Sequence, residues 1–313
     1  MSDTLSHKAV QDVLSINNMR PSKTLGQNFV CDANTIDKII SLASPKSDSF
    51  VLEIGPGLGA LTIPLSNKSF RVLAIEKDAR LAKRLDSLKL PGVKVLAMDA
   101  MKINWEKLLL TPWEELETAP ISGLSSFLTT KESRCKKDVE PKREENETVL
   151  TDWHLVSNLP YNVATQLIIS VLEQSQSVKA MLVMLQKEVG LRLCAGAGSR
   201  TYGISTLKLS YFADAKIVGK ISREVFFPKP NVDSVLVEIK RRDEEEINTN
   251  FASYQTISYL ANMAFSQRRK MLRHSLKNVL NEQHYDRALL SSTLRPEQLD
   301  INAWSRLAKC YNY

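Results

Sequence analysis

Asn158-Leu159-Pro160-Tyr161 is the stretch whose residue types point most directly to chemistry. An exocyclic amino group on a base is a poor nucleophile, because its lone pair is conjugated into the ring. An Asn side-chain oxygen and a neighbouring backbone carbonyl can accept its two hydrogens and draw that lone pair out of conjugation. Pro160 has no N–H and fixes its own φ, which stiffens the turn. Tyr161 offers a flat face on which a base can stack. The chemistry implied is methyl transfer to a base nitrogen. The same four residues also suit a plain strand-to-helix turn, since Asn and Pro are common turn formers. Their neighbours decide between the two.

A second constellation lies earlier in the chain. Gly55, Gly57 and Gly59 follow the apolar run Phe50 to Ile54, a strand entering a tight turn where backbone can approach a ligand. The spacing is G-x-G-x-G, whereas the dinucleotide fingerprint is G-x-G-x-x-G, which argues against a nicotinamide oxidoreductase. Glu76, about twenty residues on, closes the next strand and is placed to accept from two ribose hydroxyls. Asp99 closes the strand after that and can accept from an adenine amino group. Each acid alone is an ordinary cap or loop residue. Together, at consecutive strand ends beside a glycine turn, they outline an adenosine pocket. An adenosine pocket beside an amino-activating Asn points to S-adenosylmethionine as methyl donor.

The elements that must carry these residues alternate. Strands are expected at 50–54, 71–75, 93–98, from 155, and at 180–185, with helices near 32–43, 60–65, 78–88 and after Tyr161. That alternation predicts an α/β fold with a parallel, doubly wound sheet. Late strands are expected at 217–221 and 234–239, with a stiff aromatic loop, Phe226-Phe227-Pro228-Lys229-Pro230, between them. The pattern lapses over about 111–150. From Lys131 to Glu147, twelve of seventeen residues are charged, six of each sign, so a disordered insertion is expected there. Arg241-Arg242 and the acidic run after it read as a polar linker. Residues 1–247 are assigned to the donor-binding domain and 248–313 to a small all-α domain.

Charge is uneven. The net charge is +7 with pI about 9.1. From Phe251 onward nine Lys or Arg face four Asp or Glu, which suggests a polyanionic partner such as nucleic acid. Arg269, Arg273 and Lys277 recur every four residues, with Arg268 and Lys270 beside them, and are expected to form a phosphate-binding stripe on one helix face. The four cysteines are scattered without paired spacing, which argues against a zinc site or a disulfide scaffold and fits a reducing cytoplasm. No apolar run reaches the length of a membrane span. No metal is expected, and the working form is expected to be a monomer.

The chain resembles the bacterial small-subunit ribosomal RNA adenine dimethyltransferases, the kasugamycin-sensitivity methylase family. The resemblance rests on Leu25-Gly26-Gln27-Asn28-Phe29, Glu53 to Gly59, Asn158 to Asn162, Leu185 to Glu188, Phe227 to Ser234 and Phe265 to Lys270, in order along nearly the whole chain. It implies a Rossmann-like class I methyltransferase sheet and dimethylation of adenine N6 in small-subunit ribosomal RNA, within a pre-ribosomal particle. It also implies that Asn28 and Val30 contact the donor, together with Gly55 in the glycine turn. Glu76 holds the donor's ribose and Asp99 its adenine. Asn158 lies between donor and target amine, and Tyr161 and Phe226 sandwich the target base. Two departures stand out: the insertion is long, and Lys77 follows Glu76. A large-subunit adenine methylase of the antibiotic-resistance branch shares the Asn-x-Pro-Tyr motif, but the Arg268-Arg269-Lys270 run favours the small-subunit branch. The intact donor-binding set argues against a non-catalytic assembly factor.

Overall fold

The structure is a computed structural model and describes residues 6–22, 24–44, 49–68, 71–129 and 151–311. Its strands are β1 (Phe29–Val30), β2 (Phe50–Ile54), β3 (Arg71–Glu76), β4 (Val93–Ala97), β5 (Trp153–Asn158), β6 (Val178–Gln186), β7 (Ala213–Ile221), β8 (Phe226–Phe227) and β9 (Ser234–Arg241). Seven form one sheet in the order β4-β3-β2-β5-β6-β9-β7, and β1 pairs β8 in a separate antiparallel ribbon. The pairs from β4 to β6 are all parallel. Their central residues, such as Val51, Leu52, Leu73, Leu155 and Val156, are buried, as parallel strands covered on both faces require.

The connections create the site. The chain steps outward from β2 through β3 to β4, then returns to β5 on the opposite side of β2. That reversal opens a crevice beyond the C-terminal ends of β2 and β5, where open α/β sheets bind ligands. Ser157 Oγ ties the two strand ends together, donating to the Ile54 carbonyl at 2.5 Å. Short caps set the flanking helices. Asp32 accepts from Thr35 N at 2.7 Å to start the helix Ala33–Ala43. Asp78 accepts from Arg80 N at 3.0 Å to start Ala79–Ser87.

The chain divides into two compact units, Met1–Lys187 with Val218–Glu238, and Glu188–Ile217 with Ile239–Tyr313. This division differs from a single boundary at 247/248. The second unit takes in the helix Ile204–Phe212, whose Leu207 and Tyr211 share an apolar core with Phe251, Ile257, Leu260 and Trp304. That helix is apolar on several sides, so it shows no amphipathic stripe and escapes a reading based on periodicity.

Two expectations about connecting segments are corrected. Residues 111–129 are built rather than disordered: the helix Trp113–Thr118 buries Trp113 and Leu116, and Phe127 is buried after it. Lys94 Nζ closes that helix by donating to the carbonyls of Glu117 and Ala119. The charged run Lys131–Glu147 lies outside the described residues. The expected linker at Arg241-Arg242 is also ordered. Arg242 pairs with Asp214 and, at 2.7 Å, with Glu246 of the helix Glu244–Asn250, so its charges staple the second unit.

Candidate active site

Asn28, Val30, Gly55, Gly57, Glu76, Asp99, Asn158 and Tyr161 line one cleft at the C-terminal ends of β2 to β5. One wall is the glycine turn after β2. Gly57 has φ +58°, and a Cβ there would lie 2.9 Å from Phe29 Cε1, so only glycine lets the turn pass beneath β1. The same Gly57 donates its N–H to Glu76 Oε2 at 3.0 Å, and Asp78 N donates to Oε1 at 2.9 Å. Glu76 is therefore aimed by two peptide groups, only 6% exposed, at the end of β3. Burial raises its carboxyl above the usual range, opposed by those two amides.

Glu53 is an acid that stands out in the sequence only as part of a motif. It is 2% exposed on β2, lines the same cleft, and accepts from Thr62 Oγ1 at 2.6 Å. Burial pushes its carboxyl up to about 8, with the Thr62 bond opposing and the neighbouring Glu76 adding to the rise. A charged residue type inside the apolar run Val51 to Ile54 was the available signal. Asp99 is set differently. Its carboxylate, 23% exposed, pairs with Lys77 Nζ at 2.9 Å and accepts from Met101 N at 3.1 Å. Burial pushes this acid upward, but the Lys77 and Met101 bonds and the charges of Lys77 and Lys102 outweigh it and hold it below the usual range. The departure at Lys77 thus has a structural partner on the cleft wall.

At the other end of the cleft, Asn158 closes β5. Its Nδ2 donates to the Asn28 carbonyl at 2.9 Å, which fixes the amide plane. Its Oδ1 is buried and, among the described residues, has no hydrogen-bond partner. A buried acceptor without a donor is costly, so this oxygen is available to accept from a group entering the cleft. An amino group is such a donor. Tyr161 stands beside it with its hydroxyl 2.7 Å from Ser234 Oγ. Asn28 itself is held by its Nδ2 donating to the Gly26 carbonyl at 3.2 Å, so the segment before β1 is braced against the end of β5.

Phe226 is not in the cleft, which corrects its expected place opposite Tyr161. It is 1% exposed, packed with Ile36, Ile40 and Ile221 in the core of the first unit. The cause is strand alternation. Phe226 pairs Val30 and Phe227 pairs Phe29, so consecutive rings of β8 point to opposite faces. Phe227 packs with Phe29 against Leu58 and Leu81.

The basic run belongs to the second unit. The expected single-helix stripe is corrected: the helix Tyr254–Ser266 ends before it, Arg268 to Lys270 form a turn, Arg273 lies in the short helix Leu272–Ser275, and Lys277 follows in another turn. Leu272 causes the break, since its side chain is fully buried and its N–H donates to the Leu294 carbonyl at 2.8 Å. Arg269, Lys270, Arg273 and Lys277 remain exposed. Arg268 is half-buried, with Nη2 donating to the Arg200 carbonyl at 2.8 Å.

The chain is similar to known proteins. The family model described as ribosomal RNA adenine dimethylase matches residues 17–311. A protein of Leifsonia xyli named ribosomal RNA small subunit methyltransferase A is 34% identical over 310 residues, covering 96% of this chain and 95% of that one. Among solved structures, a dimethyladenosine transferase from Plasmodium falciparum has TM-score 0.62 and 24% identity, covering 89% of this chain and 95% of that chain. The 23S rRNA methyltransferase ErmE has TM-score 0.56 and 21% identity, covering 91% of this chain and all of the other. These two share the class I methyltransferase fold with it.

Proposed function

The chain belongs to the ribosomal RNA adenine dimethylase family, and we propose that the cleft beyond β2 and β5 is where it brings methyl donor and adenine together. Its activity is S-adenosylmethionine-dependent dimethylation of the adenine N6 group in small-subunit ribosomal RNA. The donor, when bound, supplies an electrophilic methyl group on a sulfonium. The cleft fits such a ligand: a glycine turn that admits no Cβ, the buried carboxylate of Glu76 for ribose hydroxyls, and Asp99 at the end expected to meet the purine.

The observation that carries the reading is the unpartnered Asn158 Oδ1. As N6 becomes nucleophilic its hydrogens grow more acidic, so an acceptor fixed in place strengthens its bond most in the transition state. Asn158 Nδ2, held by the Asn28 carbonyl, keeps that oxygen from rotating away. The residues here supply position and electrostatics, and no strong base is required, because a methylated ammonium loses its proton readily to water. Tyr161 provides a face for the base, which must leave its stack to reach the cleft. The exposed basic residues of the second unit supply sequence-independent attraction to phosphates.

In the finer reading the RNA is presented within a pre-ribosomal particle to a monomeric enzyme in the cytoplasm. Among the described residues no helix is long and apolar enough to cross a membrane. The test is incubation with labelled donor and undermethylated small subunits, then free small-subunit RNA and free large-subunit RNA, with the modified positions mapped by primer extension. Label on small-subunit adenines, greater in the particle, is expected. Label confined to large-subunit RNA would overturn the assignment.

A further inference from the structure

The segment Asn231 to Ser234 is fixed far more firmly than a loop between two strands needs. The Asp233 carbonyl accepts from Lys187 N at 2.9 Å, and its Oδ1 accepts from Arg223 N at 3.1 Å. Arg223 Nη1 donates to the Asn231 carbonyl at 3.2 Å. These bonds set the first residue of β9, Ser234, which is 0% exposed. Its hydroxyl lies 2.7 Å from the Tyr161 hydroxyl, across 73 positions of sequence.

We propose that Ser234 is a positioning residue for methyl transfer: its hydroxyl fixes where the Tyr161 ring lies so that the ring's face is presented to the base held at Asn158. The proposal rests on the reading of Tyr161 as the surface on which the base stacks. A tyrosine on a strand-to-helix turn can rotate about two side-chain bonds, and a base stacked on a rotating ring would not hold N6 at a fixed distance from the donor. Anchoring the hydroxyl fixes the direction of the ring's long axis, and the preference of a phenol O–H for the ring plane limits rotation about that axis; ordering the ring before the RNA arrives removes that entropic cost from the reaction. Burial raises the Tyr161 phenol above its usual value, opposed by the Ser234 bond, so it stays a neutral hydroxyl able to donate to Ser234. With its oxygen turned to Ser234, Tyr161 is a platform and does not take the proton of N6.

The experiment uses the full chain with Tyr161→Phe, Ser234→Ala, both together, and Tyr161→Ala. Three readouts are taken: affinity for S-adenosylhomocysteine by calorimetry, kcat and KM on small-subunit RNA, and fluorescence of RNA carrying 2-aminopurine at the target adenine. Tyr161→Phe and Ser234→Ala should each lower kcat about three- to tenfold, the range of one neutral hydrogen bond. The double variant should lose no more than either single one, because both remove the same bond. Quenching of 2-aminopurine should weaken in all three, while S-adenosylhomocysteine affinity stays within about twofold. Wild-type kcat in Ser234→Ala, losses that multiply in the double variant, or a loss seen only in S-adenosylhomocysteine affinity would each overturn the proposal. If Tyr161→Ala is crippled while Tyr161→Phe and Ser234→Ala are normal, the platform stands and the anchor falls. Full activity in Tyr161→Ala would remove the platform itself, and the anchor with it.

Discussion

The cleft of the first unit and the basic run of the second use polar groups in opposite ways. In the cleft, Glu76 is buried and held by two peptide N–H groups, and the Asn158 amide is fixed on one side and open on the other. In the basic run, Arg269, Lys270 and Lys277 are exposed and, among the described residues, make no ion pair. A buried, prealigned group acts through low dielectric and does not reorganise during the reaction. An exposed ammonium or guanidinium acts through a field that salt screens. In the proposed roles, the first arrangement discriminates between atoms and the second attracts any phosphate. Substitutions in the two regions should therefore move different readouts.

The largest effect is expected at Asn158. Asn158→Ala should cut turnover on the order of 10²–10³-fold, the usual loss for one preorganised group aimed at the reacting atom. Affinity for S-adenosylhomocysteine should change by no more than severalfold. Near-normal turnover in single-turnover assays would break the comparison at its strongest point.

Glu76→Ala comes next. It removes hydrogen bonds from a buried carboxylate, each worth about 1.5–3 kcal/mol when a charge is involved, so donor affinity should fall roughly ten- to hundredfold. The variant also strands the Gly57 and Asp78 N–H groups. Glu76→Gln, which keeps an acceptor, should recover part of the loss in calorimetry. Equal affinity in all three proteins would mean that this acid holds only the turn.

Replacing Arg269, Arg273 and Lys277 together by Ala should weaken RNA binding and flatten its salt dependence. The slope of log K against log salt should fall by about 0.7–0.9 for each phosphate no longer neutralised. Donor affinity should not move. KM for RNA should rise more than kcat falls, since phosphate contacts are largely uniform binding. Arg268 is left out of this set because its guanidinium already holds the Arg200 carbonyl. An unchanged salt slope would make the run an ordinary solvated surface.

These contrasts also explain what was legible in the sequence. The parallel sheet was readable because buried parallel strands are largely apolar runs, and Val72 to Ile75 and, apart from Glu53, Phe50 to Ile54 show that directly. The cleft was readable because its residues sit at strand ends, where position along the chain gives position in space. Phe226 was misplaced because a two-residue strand has too little pattern to tell which ring faces inward. The break before Leu272 was hidden because charges at four-residue spacing imitate a helix face, whereas the buried Leu272 decides the backbone. Ser234 stood out only as part of a motif, because its partner Tyr161 is distant in sequence. Long-range pairing of two hydroxyls leaves no periodic trace.

The smallest effect expected belongs to Glu53, and it sharpens the comparison from the side of stability. Its carboxyl is pushed up to about 8 by burial, from an ordinary value near 4.5. A group whose folded pKa lies above its unfolded one stabilises the fold fully below the unfolded value, and that contribution is lost as pH rises through the folded value. The first unit should therefore lose stability between about pH 4.5 and pH 8 as Glu53 is forced to ionise. Glu53→Gln keeps an acceptor for the Thr62 hydroxyl and removes the proton equilibrium. In thermal melts without donor, the variant should match or trail the wild type near pH 5 and exceed it near pH 9, by roughly 2–4 °C for each kcal/mol in a unit of this size. Some pH dependence should persist, because burial also raises Glu76, which remains in the variant. Parallel melting curves for the two proteins from pH 5 to pH 9 would show Glu53 ionised and compensated within the fold, and the contrast between a dry cleft and a wet basic surface would lose its support at that residue.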